Sequence, residues 1–150
     1  MQFANAPKPA KPEGGTPRPS RMTLANVTRG KRKRPPRVLL YGPEKVGKST
    51  FAAGSPSPVF LGKDEGTDEL DVVRLPQPRS FADVMDGLAL VRREGAAQGW
   101  QTLVIDPLNW LETLVQRSVV GPGETYDAFS HATAAMAKWR MILESVERVW

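Results

Sequence analysis

The chain has no cysteine and a single histidine, His131. Disulfides, thiolate nucleophiles and cysteine-based zinc sites are thereby excluded, and an all-protein transition-metal centre has almost no ligands to draw on. Aromatic residues are sparse at 7%. No apolar run approaches the roughly 18 to 20 residues of a membrane span, and no signal-peptide pattern opens the chain. The lack of cysteine fits a reducing cytoplasm. What remains is the composition of a soluble globular protein, 40% hydrophobic and 25% charged, in a chain long enough for one domain with its own core.

Charge is unevenly placed. Residues 1–37 carry ten Lys/Arg against one acid, Glu13, and residues 38–150 carry eleven against fifteen, so the formal +5 divides into +9 and −4. Seven of the fourteen prolines also fall within residues 1–36. Such a stretch buries too little apolar surface to offset its ordering entropy. It reads as a disordered, basic, proline-rich tail and lead-in, followed by a folded domain over 37–150. The run Lys31-Arg32-Lys33-Arg34 could neutralise nucleic-acid phosphates, or it could be a solvated arm.

Ordered patterning begins at Arg37-Val38-Leu39-Leu40-Tyr41, a continuous apolar run of the kind found in parallel strands covered on both faces. Lys48 to Ala53 are expected to be the first turns of a helix, with a strand at Pro58–Leu61 and a short one at 72–75. Ser80 and Asp83 form a capping-box pair ahead of Phe81, Val84, Met85, Leu88 and Val91 at helical spacing. A third clear strand, Gln101–Ile105, ends at Asp106, and Pro107 is expected in the first turn of a helix reaching about Val120. The last helix should start near Ser130, with Trp139, Ile142, Leu143, Val146 and Val149 on its apolar face. Alternating strands and helices predict an α/β fold, a parallel sheet flanked by helices. Because Trp150 falls within a still-periodic helix, the sheet is expected to be an incomplete core and the chain the front portion of a longer domain.

Gly42-Pro43-Glu44-Lys45-Val46-Gly47-Lys48-Ser49 matches the Walker A pattern in full, with Thr50 next. The glycines let the backbone wrap closely enough for its N–H groups to face phosphates, and the following helix directs its positive end at the same anion. Lys48 is expected on the β- and γ-phosphates, Ser49 on Mg²⁺, and Thr50 near the α-phosphate. Binding of a nucleoside triphosphate, Mg-ATP above others, follows. Asp106, at the end of Leu103-Val104-Ile105, fits the Walker B acid that holds Mg²⁺; its alternative role is to cap the next helix. Pro107 stands where many AAA+ ATPases carry a catalytic glutamate. An acid that orients water must then come from elsewhere, and the turn Asp64-Glu65-Gly66-Thr67-Asp68 is the obvious source. Glu112, His131, Lys138, Arg140 and Arg148 are weaker candidates, expected to be solvated or local in role.

Taken together, Arg37 to Glu44, Val46 to Ala53, Phe60-Leu61, Gly66-Thr67-Asp68, Leu70-Asp71-Val72 and Leu103 to Asp106 with Trp110-Leu111-Glu112 resemble the phage-type RecA-like ATP-binding proteins classed among AAA domains. Some of these are single-strand annealing recombination proteins. The resemblance spans about Met22 to Trp150. It implies a RecA-like P-loop NTPase in which Lys48 and either Asp64 or Glu65 are catalytic. It further implies Mg²⁺ on Ser49 and Asp106, single-stranded DNA and a homo-oligomer as partners, and the bacterial cytoplasm as setting. Three departures stand out. Lys45 replaces a common glycine at a free motif position, Asp64-Glu65 replaces Glu-Asp, and the family's further core strand with its polar sensor is not in this sequence. The competing readings are a non-hydrolysing nucleic-acid-binding or annealing module that keeps ATP as a structural or regulatory ligand, and, further off, a small-molecule P-loop kinase.

Overall fold

A computed structural model of the chain describes residues 22–30, 35–63 and 67–149. The chain divides into two units, Met1–Arg34 and Pro35–Trp150. In the first, the described residues form one 3-10 turn, Leu24–Asn26.

The second unit carries the α/β elements. Helix α1 (Lys48–Ala53) starts from Gly47, whose φ of 92° is a left-handed conformation that glycine adopts without steric cost. Strand β1 (Pro58–Gly62) buries three consecutive residues, Val59, Phe60 and Leu61, because both of its faces are covered. Strand β2 is only Val73–Arg74, and Pro76 and Pro78 follow it. Helix α2 (Phe81–Glu94) opens with both halves of the Ser80–Asp83 capping box and buries Phe81, Val84, Leu88 and Val91. Strand β3 is Thr102–Asp106. Helix α3 (Leu108–Arg117) buries Leu111, Leu114 and Val115. Helix α4 (Ala128–Glu147) begins slightly before Ser130 because Asp127 caps it, accepting from the Ser130 amide at 2.8 Å and hydroxyl at 2.7 Å.

The three strands are parallel in the order β2-β1-β3, with Val59 opposite Val73 and Leu103, and Gly62 opposite Asp106. Helices α2 and α3 pack against α4, and α3 against β1. Their shared core includes Val59, Leu61, Val84, Leu88, Leu111, Val115 and Ile142. Each such side chain contributes roughly 1.5 to 3 kcal/mol relative to exposure. No helix among the described residues is long and apolar enough to cross a membrane.

Three sequence-based expectations are corrected. The run Arg37–Tyr41 is not a strand: it pairs with no described segment, and Val38 and Tyr41 are 71% and 91% exposed. An apolar run becomes a strand only where a neighbour completes its hydrogen-bond ladder, and β3, at the sheet edge, pairs with β1 alone. Pro107 is the N-cap of α3, one position before the first helical residue, and follows a cis peptide bond from Asp106. Leu143 is 57% exposed, because α4 turns Ala135 and Ile142 inward and Leu143 lies about 100° further round the helix.

Candidate functional site

The loop Gly42–Gly47 enters α1 through three unusual backbone positions. Gly42 and Gly47 have φ of 156° and 92°, and Lys45 has φ of 60°. The first two suit glycine. The third places a long side chain in the left-handed region, where an L-residue's Cβ crowds the following carbonyl. The position that is free in the motif is therefore constrained in conformation. The first-turn amides of α1 have no acceptor within the helix itself, which is the general basis for anion binding at a helix start.

Lys48 and Ser49 are the half-buried members of the loop, whereas Gly42 to Gly47 and Thr50 are exposed. The Lys48 ammonium donates to the carbonyls of Gly42 at 3.0 Å and Pro43 at 2.7 Å. It is thus held across the mouth of its own loop by two neutral acceptors, which an anion could outcompete. Ser49 Oγ donates to Asp106 Oδ2 at 2.5 Å. This contact joins the first turn of α1 to the end of β3, and α3 leaves Asp106 without capping duty because Pro107 occupies that position.

Asp106 is fixed in turn by β1. Its carbonyl accepts from the Lys63 amide at 3.1 Å, and it stands opposite Gly62 in the sheet register. A Cβ on Gly62 would lie 1.6 Å from the Asp106 carbonyl oxygen. Only glycine permits this approach of the two backbones.

Among the described residues no group of three or more His, Asp or Glu side chains could cage a metal. Mg²⁺ takes hard oxygen ligands, keeps several waters and needs only one or two protein groups beside substrate phosphates. Ser49 Oγ and Asp106 Oδ2 supply two such oxygens side by side.

The remaining sequence candidates fall elsewhere. Asp64 and Glu65 lie outside the described residues. His131 sits in the first turn of α4, where Nδ1 accepts from the Asp127 amide at 3.1 Å and the ring leans on Tyr126. Lys138 lies 4.4 Å over the Phe81 ring and ties α4 to α2. Glu112, Arg140 and Arg148 are exposed on or beside their helices.

Two features at this end of the sheet were not read from the sequence. One is Gly62, recognisable only once β1 and β3 are in register. The other is Arg74, whose guanidinium donates from Nε to Thr67 Oγ1 at 2.9 Å, from Nη1 to the Val72 carbonyl at 3.3 Å, and from Nη2 to the Leu70 carbonyl at 2.7 Å and the Thr67 carbonyl. A charged residue inside an otherwise apolar strand segment was the available signal.

A family sequence model described as an AAA domain matches residues 34–149. No curated protein and no solved structure matches the chain.

Proposed function

This chain belongs to the AAA-domain family, whose function is of the nucleotide-binding P-loop ATPase kind, and from that membership we propose a Mg-ATP-dependent, RecA-like ATPase acting on DNA in phage or bacterial recombination and repair. The observation that supports the site most directly is the Ser49–Asp106 contact, which brings the Walker A serine and the acid at the end of β3 to one point. Gly42 to Thr50 would enclose the triphosphate, with Lys48 leaving the Gly42 and Pro43 carbonyls for the β- and γ-phosphates. Ser49 and Asp106 would hold Mg²⁺, which when bound neutralises charge building on the phosphate oxygens. Asp64 or Glu65 is assigned the orientation of attacking water, a role that rests on the family resemblance and on the place of these residues in the sequence shortly after β1.

The test is ATP binding with and without Mg²⁺, and ATP turnover with and without single-stranded DNA, in the wild type and Lys48→Ala. Turnover should fall at least about tenfold in the variant, since a charge-assisted contact to phosphate contributes on the order of 1.5 to 3 kcal/mol. Undiminished turnover would remove the assignment. The basic residues of 1–37 support a nucleic-acid partner. If they carry it, affinity for single-stranded DNA falls steeply with salt, and deleting residues 1–36 flattens that dependence.

A second reading is favoured by the position of Arg37–Tyr41. This segment leads directly into the phosphate loop, yet it is outside the sheet and exposed. A loop so suspended can bind nucleotide without being braced for hydrolysis. ATP binding and DNA binding without turnover would select this module over the ATPase.

A further inference from the structure

We propose that an open cleft at the opposite end of the sheet from the phosphate loop is a second binding site, and that it takes an organic cation: a guanidinium or ammonium group on an alkyl stem. The cleft has a volume of about 320 Å³, within the range of small-ligand sites. Pro58 opens β1, Val73 opens β2 and Trp100 stands just before β3, and all three line it. Because the strands are parallel, this is the end away from Gly62 and Asp106. Helix α1 runs between the two sites. Ser49 in its first turn reaches Asp106, and Ala53, its last residue, lines the cleft.

The lining sets the sign of the charge. It includes one carboxylate, Asp71, and no Lys, Arg or His. The nearest cation along the chain, Arg74, lines a different cavity, beside Gly62 and Asp106. Among the described residues no hydrogen bond or ion pair engages the Asp71 carboxylate, the Ser57 hydroxyl, the Gln98 side-chain amide or the Trp100 indole N–H. A carboxylate repels an anion, and an apolar occupant would strip water from it without supplying a partner. A guanidinium or ammonium answers these groups together. Its N–H donors suit the carboxylate, the hydroxyl and the Gln98 amide oxygen, its charge is attracted by an indole ring, and its stem suits apolar wall residues such as Pro58 and Val73.

The walls are held in place by bonds of their own. Ser57 has φ of 38°, which a residue other than glycine rarely adopts, and its carbonyl accepts from the Gln101 amide at 3.0 Å. The Gln98 amide donates to the Glu94 carbonyl and the Trp100 amide to the Gly95 carbonyl, each at 2.9 Å. The Thr102 hydroxyl donates to the Pro56 carbonyl at 2.8 Å. A cleft formed in advance spares its ligand the cost of ordering it.

An NMR titration of the full chain tests this, following the amides of Gln98 and Gly99 and the Trp100 indole N–H. The probes are N-acetyl-arginine amide, its neutral counterpart N-acetyl-citrulline amide, and propylguanidine. Saturable shifts are expected with both cations. The citrulline compound should bind about three- to tenfold more weakly, between the contribution of an exposed ion pair and that of a charge-assisted hydrogen bond. Asp71→Asn should weaken both cations by a similar factor, and Asp71→Glu should restore part of the loss. Tighter binding of the arginine compound assigns the cleft to a side chain of a polypeptide, and tighter binding of propylguanidine assigns it to a free organic cation. The absence of saturable shifts, equal affinity for the citrulline compound, or undiminished binding by Asp71→Asn overturns the site. If Asp71→Asn does not fold, the citrulline comparison on the wild type decides. Lys48→Ala should leave these affinities within about twofold, as for distant sites, so failure of the ATPase reading and failure of the cation site are read separately.

Discussion

The Ser49 hydroxyl donates to Asp106 Oδ2 at 2.5 Å across 57 positions of sequence. A carboxylate and a hydroxyl this close form one unit, and each loses its partner if the other is removed. Asp106→Asn and Ser49→Ala should therefore lower ATP affinity in the presence of Mg²⁺ by about tenfold or more. They should have little effect on the weaker affinity measured in EDTA. A Mg²⁺ titration of fluorescent-nucleotide binding reads both. Loss of affinity that is identical with and without Mg²⁺ would place these residues outside the metal's reach.

Gly62→Ala should act on the same site from a distance. Its added methyl would meet the Asp106 carbonyl oxygen at 1.6 Å and the carbonyl carbon at 2.7 Å, and these are backbone atoms that no rotamer change can move aside. The ends of β1 and β3 must part, at a stability cost of about 1 to 3 kcal/mol. Thermal melts should show that loss, and Mg²⁺-dependent nucleotide affinity should fall with it. A variant with wild-type melting temperature and affinity would mean that the strands separate there at no cost.

Lys45 is the place where the motif and the backbone disagree. With φ at 60°, Lys45→Gly should leave nucleotide affinity equal or tighter, since relief of about 1 to 2 kcal/mol of left-handed strain offsets the added freedom of glycine. Lys45→Val should weaken binding several-fold, because a β-branched residue is worse there. If Lys45→Gly weakens binding, the lysine charge contributes more than its backbone strain costs.

Low pH should loosen α2 and α4 at their starts. The Arg79 amide, ahead of the Ser80 hydroxyl and amide, holds the Asp83 carboxyl below the usual range, and the Ser130 hydroxyl and amide do so for Asp127. A carboxyl whose folded value is depressed contributes stability above its unfolded value and loses it as pH falls through the folded value. The contribution is thus complete at neutral pH, begins to fall near about pH 4 and is lost as pH drops further, through the lower folded values. Melting curves from pH 7 to 3 should show it, and Asp83→Asn with Asp127→Asn should flatten that part of the profile.

How far the sequence reached depended on the range of the interactions involved. The Ser80–Asp83 box and the buried series Phe81, Val84, Leu88 and Val91 are local, and both were legible from spacing alone. So were β1 and β3, whose apolar runs are buried or half-buried in the sheet. Arg37–Tyr41 looked the same in sequence but lacks a pairing neighbour, and a run of apolar residues does not encode what lies beside it. Gly62 depends on a register set between distant strands. The Arg74 hydrogen bonds depend on how the chain returns after Thr67. The Walker A pattern was legible because its residues are contiguous, and Asp106 because it ends a clear strand; Gly62 and the Arg74 contacts were not, because they depend on how separate segments meet.

Val38, Leu39 and Tyr41, standing in water beside the phosphate loop, give the protein a thermodynamic signature. Whatever event covers them removes apolar surface from solvent, and such burial is recorded as a negative heat-capacity change. Titrating ATP at several temperatures will show whether that event is nucleotide binding itself. An enthalpy that becomes steadily more favourable on warming would mean that this segment is drawn down as the ligand arrives, making the approach to the loop part of what the nucleotide organises.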